Sequence, residues 1–310
     1  MAVSGNTFFF PWEVNLMEWL QAHIPSAGIS IISLFSMFGE ELLLVLLLGF
    51  VYWSYDKKVG RTMGLSALMG MSWNAMAKNI ALRRRPYFDH EGIKILRVVE
   101  PEADIYDISA QGYSFPSGHS TNAATAFGSL AAGMRKRWVT VVAIVIPLLT
   151  GFSRFVVGAH YPTDVLGGWL LGIISVLIIQ QLQKRVKNTL VLYGILLVTA
   201  VPGFFYCKSA DYFTSVGLLI GFMGGTLLED RCVRFENTRK PLWMIVRVLG
   251  GGAIYFGLST ILKLPFSKEF LSSGSTAALL VRCARYVIIG FVEFGVYPML
   301  FKIEKKAMPD

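Results

Sequence analysis

Apolar stretches of about 18 or more residues recur along nearly the whole chain, and each is long enough to cross a hydrocarbon core of about 30 Å as a helix. Soluble domains do not read this way: the 310 residues are 54% hydrophobic and 16% charged, whereas soluble domains are normally about 25% charged. The expected fold is all-α, a polytopic transmembrane helical bundle. Spans are predicted at 28–53, 60–80, 119–134, 138–157, 163–182, 189–206, 212–228, 242–262 and 275–301, about nine in all. Residues 12–24 are short and mixed, with Trp12, Leu16, Trp19 and Leu20 interleaved with Glu13, Asn15, Glu18 and Gln21, which predicts a helix lying in the interface. The chain thus divides into an interfacial segment (1–27), a membrane core (28–187) and a transmembrane extension (188–310).

A net charge of +9 would suggest nucleic acid as the partner of a soluble protein, but here the basic residues fall mostly in short connections and read as topology signals. Lys57/Lys58/Arg61, Arg135/Lys136/Arg137, Lys184/Arg185/Lys187, Arg231/Arg234/Arg239/Lys240 and Lys302/Lys305/Lys306 all fall on one side if the spans number about nine. That side is expected to be cytoplasmic, with the C-terminus, leaving the N-terminus outside. No nucleic-acid partner is expected. Cys207, Cys232 and Cys283 are scattered, so neither a disulfide framework nor a zinc site follows. The N-terminus lacks a basic region followed by an apolar run and a small-residue cleavage site, so no signal peptide is expected.

Three short runs concentrate the chemistry: Lys78-x6-Arg85-Pro86, Pro116-Ser117-Gly118-His119 and Ser153-Arg154-x5-His160-x3-Asp164. Taken singly, each has a bland reading. Lys78 and the arginines at 83–85 could anchor a helix end in headgroups, and Ser117-Gly118 could be a simple cap. Together they place cations, two histidines and a carboxylate at the outer ends of predicted spans. A helix start offers unpaired N–H groups to an anion, and Gly118 lets the backbone come close to one. A histidine becomes a nucleophile when one ring nitrogen is held by a carboxylate and the other is free; Asp164, four residues after His160, is in reach for that role.

The order, spacing and residue types of these runs resemble the three signature motifs of the type 2 phosphatidic acid phosphatase (PAP2) family, which includes lipid phosphatases, glucose-6-phosphatases and, more distantly, vanadium haloperoxidases. The resemblance implies a PAP2/haloperoxidase-like catalytic core at 28–187 with extra C-terminal helices, and a metal-independent phosphatase without a cofactor. It also implies roles. His160, held by Asp164, would attack phosphorus; His119 would protonate the leaving alkoxide; Lys78, Arg85, Ser117, Gly118 and Arg154 would hold the phosphate oxygens. Water would then cleave a phosphohistidine. The expected substrate is a phosphorylated lipid presented by the bilayer on the extracytoplasmic face. A soluble sugar phosphate, for which the nine-span layout looks like that of glucose-6-phosphatases, transfer to a second lipid, and non-enzymatic lipid transport remain alternatives.

Five further features carry expectations. Arg83 and Arg84 either contact a second phosphate, as a pyrophosphate would need, or bind headgroups, which we favour. Glu40 or Glu41 either pairs with Arg282 or Arg285, packing the first span on the last, or marks a break in the first span. Arg247 is expected to snorkel, and Pro147 to kink the fourth span. The loop from Tyr87 to Phe115 is long enough to cover the site.

Overall fold

Helix starts in this chain are set by proline and by side-chain caps. Pro11, Pro86, Pro162 and Pro241 each open a helix, where the missing N–H costs no hydrogen bond. Asp107, Ser117, Asn188, Ser267 and Ser275 each accept from a backbone N–H of the turn that follows. The computed structural model describes residues 5–302. In chain order its helices are α1 (Pro11–His23), α2 (Ser26–Leu34), α3 (Glu41–Gly49), α4 (Lys57–Ala81), α5 (Pro86–Asp89), α6 (Ile108–Gln111), α7 (Gly118–Met134), α8 (Arg137–Val156), α9 (Pro162–Arg185), α10 (Thr189–Ala200), α11 (Gly203–Tyr206), α12 (Ala210–Leu228), α13 (Pro241–Ile261), α14 (Lys268–Ser272) and α15 (Thr276–Phe291). Wider π turns prolong α3, α12 and α15 over Phe50–Tyr55, Glu229–Val233 and Val292–Val296. Among the described residues the one extended pairing is an isolated parallel bridge between Asn6 and Arg83.

This is a multi-pass helical membrane protein, yet the predicted spans are not uniform. Among the described residues, five stretches are long and apolar enough to cross a bilayer: Arg137–Val156, Pro162–Arg185, Thr189–Tyr206, Ala210–Val233 and Pro241–Ile261. The other four depart from simple spans. Residues 28–53 are interrupted: α2 tightens into a 3-10 turn at Phe35–Gly39, the backbone is extended at Glu40, and α3 restarts the helix. Adjacent carboxylates at 40 and 41 oppose an unbroken buried helix, so the chain breaks where they fall. Helix α4 is continuous but carries Lys57, Lys58 and Arg61 at one end and Lys78 near the other. Helix α7 has 17 residues, and α15 runs on through its π turn into a 3-10 turn at Tyr297–Leu300. Pro147 lies inside α8, which continues past it to Val156. Lys305 and Lys306, two of the expected topology charges, lie outside the described residues.

Contacts divide the chain into two compact units. One comprises residues up to Leu43 with Trp73–Leu177, the other Leu44–Ser72 with the residues from Ile178 on. In the first, α1 exposes Trp12 and Trp19 and buries Glu13, Met17 and Leu20, which recur at helical spacing on one face. Met17 packs with Ile93 and Tyr161. Helices α7 and α9 approach closely because Gly168 and Gly172 of α9 lie against the backbone of Ser117 and Thr121, as small residues allow in membrane bundles.

In the second unit Gly217, Gly221 and Gly225 of α12 lie against the carbonyls of Cys283, Val287 and Phe291, the same device. In its core Phe294 meets Tyr52 and Phe222 edge to face and stacks on Trp53, and Tyr52 is tilted against Phe222. Lys57 pairs with Glu229 at 2.6 Å, and Arg61 grips Asp230 through two bonds of 2.8 and 2.6 Å. The three cysteines are free thiols.

Two charge expectations are corrected. Arg247 is buried rather than snorkelling: it donates to the Glu236 carbonyl at 2.9 Å and stacks on Phe301 at 4.1 Å. Glu40 pairs with Arg97 of the 87–115 loop, whereas Arg285 donates to the Ser259 carbonyl and Arg282 to Thr214. The alternative of a broken first span is what the structure adopts, and the loop supplies the counter-ion.

Candidate active site

All residues of the three sequence runs lie in the first unit, at helix ends. Lys78 is in the last turn of α4, Arg85 immediately precedes α5, Ser117, Gly118 and His119 begin α7, Arg154 is in the last turn of α8, His160 lies in the turn between α8 and α9, and Asp164 is in the first turn of α9. The loop before α7 aligns these groups with its backbone. Successive carbonyls at 111–114 accept from Arg85 Nη2 (Gln111, 2.7 Å), Arg85 Nε (Gly112, 3.0 Å), Lys78 Nζ (Tyr113, 2.8 Å) and His160 Nδ1 (Ser114, 2.9 Å). Buried Gln111 secures that loop, accepting from Val99 N at 3.1 Å and donating to the Glu100 carbonyl at 2.9 Å.

A carbonyl cannot donate, so Nδ1 of His160 carries the ring hydrogen and Nε2 carries the lone pair. Arg85 Nη1 stands 3.4 Å from Nε2, a long contact compatible with that tautomer. Burial, reinforced by Arg85, Lys78 and Arg154, holds His160 well below the usual histidine range and keeps it neutral at neutral pH. The same cations, with His160, act on the ring of His119, whose backbone is packed against Gly39.

Asp164 stands 3.6 Å from His160 Nδ1, outside hydrogen-bonding distance. The direct Asp164–His160 bond expected from sequence is therefore corrected: the Ser114 carbonyl takes that place, because Asp164 is saturated elsewhere. Its Oδ2 accepts from Ser114 Oγ and from Tyr161 N at 2.7 Å, and its Oδ1 from Arg83 Nη1 at 2.6 Å. Arg83, expected among headgroups or on a second phosphate, is fully buried and also binds Glu13 at 3.0 Å; Arg84 pairs with Asp89 at 2.7 Å.

Arg154 is 2% exposed and donates from Nη1 to Ser36 at 3.1 Å, while its Nε–H has no partner among the described residues. An orphaned guanidinium donor at such a place is suited to an anion. A Cβ at Gly118 would meet, within 4 Å, only Asn74 Oδ1 at 3.8 Å. Neither packing nor backbone conformation demands glycine there. Ser117 is buried and its hydroxyl is turned into the α7 cap, accepting from Ser120 Oγ at 3.0 Å. As an acceptor it shapes the helix start, and its own O–H is not spent on that bond.

Sequence reasoning missed Ser36, Ser114, Gln111, Glu13 and Thr163. Only Glu13 left a trace: a carboxylate in register with Met17 and Leu20 on what became the buried face.

A buried imidazole with a defined lone pair, three cations and a helix start thus come together on a helical membrane scaffold. Residues 59–187 match the PAP2 superfamily, and residues 213–307 match the PAP2 superfamily phosphatase transmembrane extension. The chain belongs to the PAP2 superfamily. It is 35% identical over 90 residues to phosphatidylglycerophosphatase B of Bacillus subtilis, covering 26% of this chain and 44% of that protein. It is 29% identical over 116 residues to undecaprenyl-diphosphatase of Sulfolobus acidocaldarius, covering 37% of this chain and 51% of that protein. The matched part is thus about half the length of these curated relatives. A crystal structure of a transmembrane PAP2-type phosphatidylglycerolphosphate phosphatase from Bacillus subtilis aligns with TM-score 0.44 and 24% identity over 57% of this chain and 87% of that one.

Proposed function

We propose that the chain is an integral-membrane phosphatase that hydrolyses a lipid phosphate at the extracytoplasmic face through a phosphohistidine. The observation that carries this reading is the fixed tautomer of His160, with Nδ1–H on the Ser114 carbonyl and Nε2 beside Arg85. In the first step the Nε2 lone pair forms a bond to phosphorus while the bond to the leaving alkoxide breaks, and His119 gives that oxygen its proton. In the second, water adds to phosphorus, its proton passes to His119, and the P–N bond breaks to release phosphate and restore neutral His160. The charge that spreads over the equatorial oxygens is met by Arg154, Arg85 and Lys78 and by the amide of Gly118. These fixed cations take the part that a divalent ion plays elsewhere. A charged His119 among them is compatible with a phosphate seated there, because the anion offsets their repulsion.

Lipid is favoured as the substrate because the site is built at the ends of α8 and α9, two of the membrane-length helices, where a headgroup can enter while its tail stays in hydrocarbon. The relatives named above, and lipid A 1-phosphatase of Rhizobium etli, all carry the names of lipid-phosphate phosphatases. The basic connections at 135–137 and 184–187, at the helix ends away from the motifs, support the sidedness, with the N-terminus outside and the C-terminus in the cytoplasm.

Phosphate release from a panel of phosphatidic acid, phosphatidylglycerol phosphate, a polyprenyl pyrophosphate and glucose 6-phosphate, with and without chelator, tests the assignment. Release from a lipid that persists in chelator and is lost in His160→Ala is expected. Release from glucose 6-phosphate alone, or full activity in His160→Ala, contradicts it. Release by intact cells from an added short-chain lipid phosphate is expected for an outward-facing site, and release only after permeabilisation contradicts that orientation.

A further inference from the structure

We infer that Glu13 of α1, which lies outside the segment matched to the PAP2 superfamily, is a positioning residue for His160 and acts through Arg83 and Asp164. This inference rests on the role proposed above for His160. The connection is continuous and buried throughout. Glu13 Oε2 accepts from Arg83 Nη2 at 3.0 Å, Arg83 Nη1 donates to Asp164 Oδ1 at 2.6 Å, Asp164 Oδ2 accepts from Ser114 Oγ and from Tyr161 N, and the Ser114 carbonyl holds His160 Nδ1 at 2.9 Å. The other oxygen of Glu13 accepts from Thr163 N at 2.9 Å and Thr163 Oγ1 at 2.6 Å, which pins the residue next to Asp164. Glu13 and Asp164 are each 0% exposed and Arg83 is 1% exposed, so water screens none of these interactions.

Glu13 does two things here. It fixes Arg83 from the side opposite Asp164, and so fixes where the Asp164 carboxylate can stand. It also sets the charge of the cluster: with both carboxylates ionised against one guanidinium, the Nδ1 side of the ring carries an excess negative charge. The imidazole becomes cationic when Nε2 bonds to phosphorus, and that excess charge favours the change. With Glu13 neutral, Arg83 and Asp164 cancel and the support is lost.

The test compares Glu13→Gln and Glu13→Asp in the full-length protein, with phosphate release from a short-chain phosphatidic acid as the readout. His160 is faced by Arg85, Lys78 and Arg154, by His119, and by Asp164 with its partners, so removing one negative charge from this set makes the ring harder to protonate. Glu13→Gln is expected to lower kcat about tenfold or more, as outer-shell partners of site residues do, with KM nearly unchanged and the acid limb of the pH profile displaced to lower pH. Glu13→Asp keeps the charge, and is expected to lower kcat while leaving the acid limb in place. A Glu13→Gln enzyme with the original kcat and acid limb overturns the inference, as does an equal loss of activity in both variants with neither limb displaced. Where Glu13→Gln does not fold, Glu13→Asp decides: a reduced kcat at unchanged KM and Tm supports the inference, and the original kcat, or a kcat that falls only with Tm, overturns it. His160→Ala separates the two levels, because activity surviving there ends the reading of the site itself, whereas an inactive His160→Ala beside an unaltered Glu13→Gln ends only the role of Glu13.

Discussion

The two units bury charge differently. In the unit that carries the motifs, Glu13, Arg83 and Asp164 are removed from water altogether, and every oxygen of the two carboxylates has a donor. In the other unit Glu229 is buried as deeply, but its partners Lys57 and Arg61 remain 25% and 21% exposed at their side chains, and Asp230 is 41% exposed. Fully buried charges are costly to place and costlier still to leave unpaired, whereas half-solvated pairs contribute little. The first arrangement therefore specifies geometry, and the second mainly keeps helix ends soluble at a boundary. The contrast assigns the rigid polar machinery to the unit that holds the histidines.

The sharpest way to break that contrast is to delete one arginine from each cluster. Arg83→Ala leaves Glu13 and Asp164 buried without their shared partner and is expected to destabilise by about 3–5 kcal/mol, read as a fall in Tm of the detergent-solubilised protein. Arg61→Ala, whose closer partner Asp230 is half-solvated and whose second neighbour Glu229 keeps Lys57, is expected to cost no more than about 1 kcal/mol. Similar losses from both would erase the distinction. Next in size is Arg154→Ala. It loses one hydrogen bond to Ser36, so the fold should hold, but phosphate release is expected to fall about 100-fold, as when one preorganised donor to a developing anion is removed.

Gly118→Ala sharpens the comparison further. Its new methyl group meets nothing nearer than Asn74 at 3.8 Å, so Tm should be unchanged or slightly higher, while a phosphate brought against the Gly118 amide is pushed back. A loss of about tenfold in kcat/KM with an unaltered Tm is the expected outcome. The smallest effect is on pH dependence. Because burial and neighbouring cations depress His160, its neutral form persists as pH falls, and the acid limb of kcat/KM is expected below the ordinary histidine value of about 6.5. An acid limb at or above that value would contradict the environment described.

The parts of this site legible in the chain are those close in sequence: His160 and Asp164 stand four residues apart across the start of α9, and Ser117, Gly118 and His119 at one helix start. What was not legible depends on tertiary approach. The Ser114 carbonyl that holds Nδ1 has no sequence signature, since every residue has a carbonyl. Arg83 and Arg84 look equivalent in an arginine triplet, yet one is buried between Glu13 and Asp164 and the other pairs with Asp89. Glu40 found Arg97 in a loop without periodicity, and the first predicted span broke where the two glutamates stand together. The membrane helices from α8 to α10 followed directly from their apolar length.

The central claim is that His160 Nε2 becomes covalently loaded with phosphate, and its most direct test is to quench turnover in alkali, where a phosphohistidine survives, and map the modified residue by mass spectrometry. A phosphoryl group on the peptide carrying His160, lost on acid treatment and absent from Asp164→Asn or Arg154→Ala in proportion to their activity, is the expected result. A phosphoryl group on His119, or rapid turnover with no modified histidine at any quench time, would contradict it.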